Sequence, residues 1–291
     1  MGFRIATMWR FVVILAVLIG VVLVALPQPL PVHLDRLSVV NYTTIDNQVY
    51  DTEGFQWLGT QGKLLGSTNA VRIPYFTEVM TGFGTGPYLE VGCGGGLVSQ
   101  ALAEAGFNMT GLDMSVRSLN VAREQAKASS VPSDMLRYIE GSAFELPFPD
   151  GHFTGVVVAD VLEHFTDLRL VRNEIDRVVK PGGVVVFDTI ARTLFSAIGI
   201  WGVAQEVLNI IPRSSHDWRL FIQPSELEAL FGELDYKMDT TQWYGIEPTP
   251  GVQQVIEAAK QLSIVPLIAT FSRTKNFMSS YMGHAVKPGS G

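Results

Sequence analysis

The sequence predicts an α/β protein built on a doubly wound parallel sheet with helices on both faces. After residue 40, short apolar runs alternate with amphipathic stretches, which is the pattern of repeated strand–helix units. A glycine-rich turn at residues 90–96 stands between a predicted strand and a predicted helix, where such sheets bind ligands. Hydrophobic residues make up 47% of the chain and charged residues 17%, so there is enough apolar surface to form a core.

Each predicted element has a local signal in the chain. Short apolar runs indicate strands, and apolar positions spaced by three or four residues indicate helices. Ser115 is placed to cap a helix that begins at the next residue, and Lys-Pro-Gly-Gly at 180–183 is a stop signal for the helix before it. The predicted strands cover 88–91, 108–112, 135–140, 155–159, 184–188 and 276–284, and the predicted helices cover 97–105, 116–129, 167–179 and 224–231.

Charge and cysteine content exclude several classes of protein. The 291 residues include 21 Lys and Arg against 28 Asp and Glu, a net charge of −7, so we expect no nucleic-acid partner. Cys93 is the only cysteine, which excludes an intramolecular disulfide framework and a Cys-rich zinc site. We predict an anchor and spacer over 1–34, an N-terminal cap over 35–85, and the main domain over 86–291 with a lid or insertion at 193–223.

The N-terminal segment predicts an association with membranes. Residues 11–26 form an uncharged apolar run that spans roughly 24 Å as a helix, somewhat less than the hydrocarbon core of a bilayer. We predict a single-pass N-terminal transmembrane or anchor helix, followed by a stiff spacer that contains Pro27, Pro29 and Pro31. A cleaved signal peptide and a mitochondrial-type presequence are the alternatives, and the topology stays open. In a eukaryotic cell, the mitochondrial inner membrane is a candidate compartment.

The glycine-rich turn and a following aspartate predict a nucleoside-binding site. The turn Glu-Val-Gly-Cys-Gly-Gly-Gly at 90–96 allows a ligand to approach the backbone. Asp113 ends the next strand, where a carboxylate can accept both hydroxyls of a ribose; a helix cap is the alternative role. The glycines do not complete the G-x-G-x-x-G spacing, and Glu90 would repel a pyrophosphate. A cationic ligand therefore fits the turn better than a dinucleotide does.

Several motifs in order resemble those of class I S-adenosylmethionine-dependent methyltransferases, which have a Rossmann-like sheet. They are the turn at 90–96, Thr-Gly-Leu-Asp-Met at 110–114, Asp-Val-Leu-Glu-His at 160–164 and Val-Lys-Pro-Gly-Gly at 179–183. Together with Asn-Ala-Val-Arg at 69–72 and Ser-His-Asp-Trp-Arg-Leu-Phe-Ile-Gln-Pro at 215–224, they resemble the ubiquinone-biosynthesis O-methyltransferase family over roughly residues 42–284. The resemblance implies an enzyme that uses S-adenosylmethionine.

The resemblance also implies which residues bind the cofactor. Arg72 would hold the methionyl carboxylate, although a surface ion pair is the alternative role for it. Asp113 would bind the ribose, and Ala159 would offer a backbone group at the end of its strand. The full set of predicted cofactor residues is Arg72, Glu90, Gly92, Gly94, Asp113, Met114 and Ala159.

Three side chains just after the fourth predicted strand are candidates for catalysis. Asp160, Glu163 and His164 carry oxygen and nitrogen ligands that suit Mg²⁺ or Zn²⁺, and the resemblance implies a divalent metal near these positions. His164 as a general base without a metal is the alternative. We predict Glu163 and His164 as the catalytic residues, which deprotonate a phenol or catechol hydroxyl before it attacks the sulfonium methyl.

An almost uncharged segment at 193–212 follows the fifth strand, and Glu206 is its one ionised residue. It predicts either a buried insertion helix or a segment that enters a membrane or binds a prenyl tail. His216 follows and borders the expected substrate entrance, or else has a structural role. We therefore expect a small-molecule or prenyl-lipid phenolic substrate, a membrane, and a quinone-biosynthesis complex as candidate partners.

The sequence favours one function and leaves three rivals. The favoured function is O-methylation of a polyprenylated phenol or catechol in ubiquinone biosynthesis. The rivals are methylation of another small lipid or natural product, a non-catalytic membrane-tethered scaffold of the same fold, and a nicotinamide-dependent oxidoreductase. Glu90 and the incomplete phosphate-binding spacing disfavour the last of these.

Overall fold

The computed structural model describes residues 47–52, 56–250 and 270–290. The strands are β1 (Tyr88–Val91), β2 (Met109–Asp113), β3 (Leu136–Glu140), β4 (Phe153–Ala159), β5 (Val179–Ile190), β6 (Tyr244–Pro248), β7 (Phe271–Thr274) and β8 (Ser280–Val286). The helices are α1 (Thr60–Ser67), α2 (Asn69–Thr81), α3 (Leu97–Glu104), α4 (Val116–Ala128), α5 (Leu168–Val178), α6 (Leu194–Ser196) and α7 (Pro224–Gly232). A π-helix (Ala197–Val207) continues α6, and 3₁₀ turns cover Asn47–Asp51, Leu162–His164, Trp218–Leu220 and Thr240–Gln242.

The strands form one sheet in the order β3-β2-β1-β4-β5-β8-β6-β7. The neighbours from β3 to β5 pair in parallel, whereas β8 pairs with both β5 and β6 in the antiparallel sense. The chain runs outward from β1 to β3 and then returns to place β4 on the other side of β1. This reversal opens a crevice at the carboxyl ends of β1 and β4, where sheets of this kind bind their ligands.

The sheet separates two apolar cores. All seven residues of β4 are buried, and neighbouring side chains of this strand point to opposite faces. Val156 and Val158 belong to the core that contains Ile175 of α5 and Leu227 of α7. Val157 belongs to the opposite core, which contains residues of α2, α3 and α4. The doubly wound sheet with helices on both faces is therefore confirmed.

Most of the predicted elements are confirmed within a few residues. The Ser115 side chain caps α4 by accepting a hydrogen bond from the Ser118 amide, and Asp167 caps α5 through the Leu170 amide. The 180–183 segment does follow a helix, but it lies inside β5, where the pairing with β4 shifts register. The last strand is Ser280–Val286 rather than 276–284. The short strands β6 and β7 were not predicted.

The insertion at 193–223 is attached firmly at its base. Arg192 forms a buried ion pair with Glu226 of α7, and the Trp218 indole donates to the Thr193 carbonyl at 3.0 Å. The Ile222 amide donates to the Ile190 carbonyl at 3.1 Å. These contacts hold the two ends of the insertion together at the carboxyl end of β5, beside the crevice.

The predicted anchor helix at residues 11–26 lies outside the described residues. Over 47–52, 56–250 and 270–290, no helix has both the length and the apolar character needed to span a bilayer.

Candidate active site

A cavity of about 590 Å³ occupies the crevice at the carboxyl ends of the parallel strands. Its polar wall includes Glu90, Asp113 and Asp160, which lie at or next to the ends of three of these strands. Part of its apolar wall comes from the insertion, namely Phe195, Ile200, Val203, Ala204, Ile210 and Ile211. One continuous space therefore joins the predicted nucleoside site to the insertion.

The glycine-rich turn has the backbone conformation that only glycine adopts without strain. Gly92 has φ of 72° and Gly94 has φ of 49°. A Cβ atom at Gly92 would lie 2.4 Å from the Val161 side chain, and one at Gly94 would lie 2.3 Å from the Trp57 ring. Glycine is thus needed at both positions, for conformation and for space. The Trp57 indole lies over the turn and donates to the Ser118 hydroxyl at 2.9 Å.

Glu90 lies beneath the turn and is almost fully buried. Its carboxylate accepts a hydrogen bond from the Ser99 hydroxyl. Burial raises the pKa of Glu90 to about 7, although the Ser99 hydrogen bond and the Arg72 charge oppose this rise. A buried carboxylate with this pKa gains a favourable interaction when a cation binds nearby. This environment agrees with the expectation of a cationic ligand.

Asp113 at the end of β2 is held by two backbone amides. Its Oδ2 accepts from the Gly94 amide and its Oδ1 accepts from the Ser115 amide, each at 2.8 Å. Burial raises the pKa of Asp113, and these backbone hydrogen bonds oppose the rise. Each carboxylate oxygen can accept a second hydrogen bond, so the group retains the capacity to bind two hydroxyls. Met114 beside it is 70% exposed, and Ala159 is buried at the end of β4.

Arg72 takes part in a buried ionic cluster, and not in the surface ion pair that was the alternative role for it. Its Nη1 donates to Asp160 and, at 3.1 Å, to Oδ2 of Asp188. Its Nε donates to Asn69 at 2.7 Å and its Nη2 to the Leu65 carbonyl at 3.2 Å. The guanidinium therefore joins α2 to the ends of β4 and β5. A contact of Arg72 with a methionyl carboxylate stays a prediction.

The structure separates one of the three predicted metal ligands from the other two. Asp160 has φ of 49° and its carboxylate pairs with Arg72. Among the described residues, the group that could hold a metal ion is Glu163, His164 and His216, whose ligand atoms lie within 4.8 Å of one another. The 3₁₀ turn at Leu162–His164 places the first two beside the insertion, which supplies His216. Asp160 was predicted from its proximity in sequence, but its side chain is used by the ionic cluster.

Burial keeps both imidazoles of this cluster neutral. It lowers the pKa of His164 to about 4 and that of His216 well below its usual value. The two rings lie 4.8 Å apart between centroids, and the Thr189 hydroxyl donates to Oε2 of Glu163 at 2.8 Å. A neutral imidazole is the form that binds a metal ion. It is also a weaker base than free histidine, which disfavours His164 as a base acting alone.

Sequence reasoning missed several residues around the cavity. Tyr50 packs edge-on against His164 at 5.7 Å and stacks with Trp57, and neither aromatic residue was predicted to border the site. Asp188 was placed in a strand without a role. The signal for Asp188 was its position near the end of a parallel strand. The aromatic pair had no comparable signal, because it reaches the site only through the fold of the N-terminal segment.

The fold, the glycine turn and the Asp113 carboxylate together define an S-adenosylmethionine-dependent methyltransferase of class I. A family model described as a methyltransferase domain matches residues 89–187. The chain belongs to the ubiquinone-biosynthesis O-methyltransferase family. It is 31% identical over 242 residues to a ubiquinone biosynthesis O-methyltransferase of Alkalilimnicola ehrlichii, with 81% of this chain and 88% of that protein covered. S-adenosylmethionine is therefore its cofactor.

Other comparisons agree with this assignment. A ubiquinone biosynthesis O-methyltransferase of Pseudomonas aeruginosa is 35% identical over 202 residues, covering 68% of this chain and 81% of the relative. Magnesium protoporphyrin IX methyltransferase from Synechocystis, solved with S-adenosylhomocysteine (SAH), superposes with a TM-score of 0.53 at 14% identity, covering 82% and 92% of the two chains. A protein from Pyrococcus horikoshii superposes with a TM-score of 0.51 at 21% identity, covering 76% and 90%. The two solved structures support the fold alone.

Proposed function

We propose that this enzyme transfers a methyl group to a hydroxyl of a phenol or catechol that carries a prenyl chain, as an intermediate of ubiquinone biosynthesis does. The observation that carries the proposal is the continuity of the cavity. The Glu163, His164 and His216 cluster lies in the same space as the glycine turn and the apolar wall of the insertion. A polar head at the cluster and an apolar tail along the insertion use both walls. The names of the relatives support the same substrate class.

In this proposal the cofactor residues act by position and charge. S-adenosylmethionine supplies an electrophilic methyl group on a sulfonium. Asp113 would bind the ribose hydroxyls, Met114 would contact the adenine, and the backbone at Gly92, Gly94 and Ala159 would line the cofactor site. Arg72 binds the methionyl carboxylate or orders the wall next to it through Asp160. Glu90 favours the positive charge from beneath the turn. Alignment of the acceptor oxygen with the methyl group supplies most of the acceleration.

The cluster fits a divalent cation by its donor chemistry. One carboxylate and two neutral imidazoles are a ligand set that Zn²⁺ and other transition metals prefer, whereas Mg²⁺ prefers oxygen ligands. Glu163, His164 and His216 would hold the ion, which would lower the pKa of the acceptor hydroxyl. We propose this role for the three residues, with His164 as an unassisted base as the alternative. Asp160 is not included.

The substrate proposal is tested with the full chain and two catechols that differ only in a single isoprene unit. We expect kcat/KM, followed by SAH formation, to be about 100-fold higher for the prenylated catechol, because burial of five carbons contributes roughly 3 kcal/mol. Equal values for the two catechols would reject the tail-binding role of the insertion. Absence of methyl transfer to either would reject the proposed function.

Removal of metal distinguishes the two mechanisms. We expect exhaustive chelation to lower turnover by about 10²–10⁴-fold, the usual contribution of an activated proton transfer, and to leave S-adenosylmethionine affinity unchanged. Glu163→Gln is expected to have the same effect, whereas Glu228→Gln, which changes an exposed carboxylate on α7, serves as a matched control. Full turnover in metal-free enzyme would reject the metal and leave His164 as the base.

We also propose that the insertion contacts a membrane surface. Leu194 is 59% exposed, Phe195 50% and Val207 66%, so this helical segment, whose Phe195 also lines the cavity, presents large apolar side chains to solvent. A lipid-soluble substrate would pass from the bilayer to the cavity at this place. The predicted anchor at 11–26 would add to the same association, and a quinone-biosynthesis complex at the membrane is a proposed partner.

The membrane proposal is tested by flotation of the full chain with phospholipid vesicles. The double variant Leu194→Glu/Val207→Glu is expected to need about tenfold more lipid for half-maximal binding, because two apolar contacts are lost. Leu170→Glu on α5 introduces a charge at a position 44% exposed on another surface and is the control. The same lipid requirement for the parent and the double variant would show that the insertion makes no membrane contact.

A further inference from the structure

The amide of Gln205 holds the backbone of His216 from both sides. Gln205 lies on the π-helix and is 1% exposed. Its Nε2 donates to the His216 carbonyl, and its Oε1 accepts from the His216 amide, each at 3.0 Å. A carbonyl requires a donor and an amide requires an acceptor, so these contacts fix which end of the Gln205 side chain is oxygen.

This orientation determines the protonation of the His216 ring. The same Oε1 lies 3.2 Å from Nδ1 of His216, and an amide oxygen can only accept. The Ser215 hydroxyl lies 3.0 Å from Nδ1, 2.7 Å from the Pro212 carbonyl and 3.2 Å from Oε1 of Gln205, so its single proton has two oxygen acceptors, of which the Pro212 carbonyl is the nearer. With that proton directed to an oxygen, Nδ1 faces two acceptors. In the neutral ring the proton lies on Nδ1 and the lone pair on Nε2.

Asn47 contacts the carbonyl and Nδ1 of His164 in a similar way, while the His164 amide donates to the Val161 carbonyl at 2.9 Å. Nδ2 of Asn47 donates to the His164 carbonyl at 3.4 Å, and its Oδ1 lies 3.2 Å from Nδ1 of His164. The backbone carbonyl again fixes the amide orientation, and the amide oxygen again requires a proton on Nδ1. Two carboxamides from distant parts of the chain thus act in the same way on two neighbouring imidazoles.

We propose that Gln205 and Asn47 are positioning residues that hold His216 and His164 as Nδ1–H tautomers. Nε2 of each ring then carries the lone pair that can bind a cation or accept a proton. A histidine without such a partner divides its proton between both ring nitrogens, and part of the population then presents an N–H where a lone pair is needed. The effect of these tautomers on turnover rests on the proposed function, in which the Nε2 lone pairs either bind a cation or accept a proton. The tautomers themselves do not depend on it.

The π-helix gives this inference a second support. Helices of this type are rare and are frequently found at functional sites. In Ala197–Val207, Gln205 is turned inward to His216, while Glu206 beside it is exposed. The irregular winding thus places an amide, and not the neighbouring carboxylate, against the ring.

The tautomers are measured on the full chain, free of metal and cofactor, labelled with ¹⁵N histidine. Protonated and unprotonated ring nitrogens have well-separated chemical shifts, and His164→Gln and His216→Gln assign the two rings. We expect Nδ1 protonated and Nε2 unprotonated in both. A spectrum with a proton on Nε2 of His216 in the parent protein would overturn the proposal.

Three variants identify the group that holds the His216 proton. Gln205→Met removes the acceptor while keeping the side-chain length, and we expect His216 to shift toward the Nε2–H form with kcat lowered about 10- to 100-fold. Gln205→Glu keeps an oxygen acceptor at Nδ1, and His216 should therefore retain the Nδ1–H form in this variant. Ser215→Ala should leave that form in place. S-adenosylmethionine affinity, expected to be unchanged in all three, reports an intact fold.

Asn47→Leu tests the second half of the proposal by the same spectrum of His164. An unchanged tautomer in Gln205→Met or Asn47→Leu would reject that residue as a positioning group, even if turnover fell. If no catechol is methylated while the spectra agree with the expectation, the proposed substrate fails and the tautomer assignment stands. The two failures are therefore distinguishable.

Discussion

Arg72→Met is expected to lower the free energy of unfolding by about 3–5 kcal/mol, the cost of leaving buried charge without its partner. The Arg72 side chain is 3% exposed and that of Asp188 is 1% exposed, and the guanidinium is the cation that both Asp160 and Asp188 contact. Burial and the neighbouring Asp160 raise the pKa of Asp188, and Arg72 opposes the rise. Methionine has much of the volume of arginine, so the loss of stability comes mainly from removal of the positive charge.

The sign of the pH dependence follows from the same cluster. Without Arg72, the pKa of Asp188 in the folded protein rises further. At pH values between the ordinary carboxyl pKa and this raised pKa, Asp188 keeps a proton in the folded variant and releases it in the unfolded chain. The penalty of Arg72→Met should therefore be smallest in acid, where Asp188 is protonated in the folded and unfolded forms of both proteins. It should grow only above the raised pKa that Asp188 has in the folded parent, because there the parent ionises Asp188 and the variant does not.

Arg169→Met is the matched control for this prediction. Arg169 also pairs with a carboxylate, that of Glu233 at 2.7 Å, but its side chain is 40% exposed. An exposed pair of this kind contributes about 0–1 kcal/mol. Urea unfolding of the two variants gives the comparison, and Arg72→Met/Asp188→Asn should recover part of the loss. A loss below about 1 kcal/mol for Arg72→Met would show that the cluster does not stabilise the fold.

The parts of the fold that could be predicted are those specified by neighbouring residues. The apolar run of β1, the glycines after it and the Ser115 cap are local signals, and the structure confirms them. The strands β6 and β7 carry no such signal. The five residues of β6 include Gly245 and Pro248, both weak strand formers, and the strand exists because β8 pairs with it. Tertiary pairing, rather than local preference, decides this edge of the sheet.

The residues of the candidate site also divide into those that local sequence identifies and those that only the fold brings together. Gly92, Glu90 and Asp113 could be identified from sequence because the strand–turn–helix unit places them together. The partners of Asp160 and of Glu163 could not, since Arg72 and His216 come from elements distant in the chain. Sequence proximity suggested one group of three residues after β4. The fold instead pairs Asp160 with Arg72 and brings His216 of the insertion beside Glu163 and His164.

Asp113→Ala is expected to weaken S-adenosylmethionine binding roughly 10- to 150-fold, which corresponds to a charge-assisted hydrogen-bond contribution of about 1.5–3 kcal/mol. The carboxylate is held by the Gly94 and Ser115 amides in a fixed position. Ribose hydroxyls would therefore meet an acceptor that is already oriented. Calorimetric titration of the full chain measures the dissociation constant, and thermal unfolding shows whether the variant remains folded.

A second ligand and a neighbouring carboxylate make this test specific. SAH has the same ribose but no sulfonium, so loss of a ribose contact should weaken both ligands equally. A loss confined to S-adenosylmethionine would assign Asp113 to the sulfonium charge instead. Asp51→Ala is the control, because Asp51 accepts from the Ser115 hydroxyl at 2.8 Å at the same end of α4 and is exposed. Equal weakening by Asp51→Ala and Asp113→Ala would assign the effect to the N-terminus of α4 and reject a ribose contact.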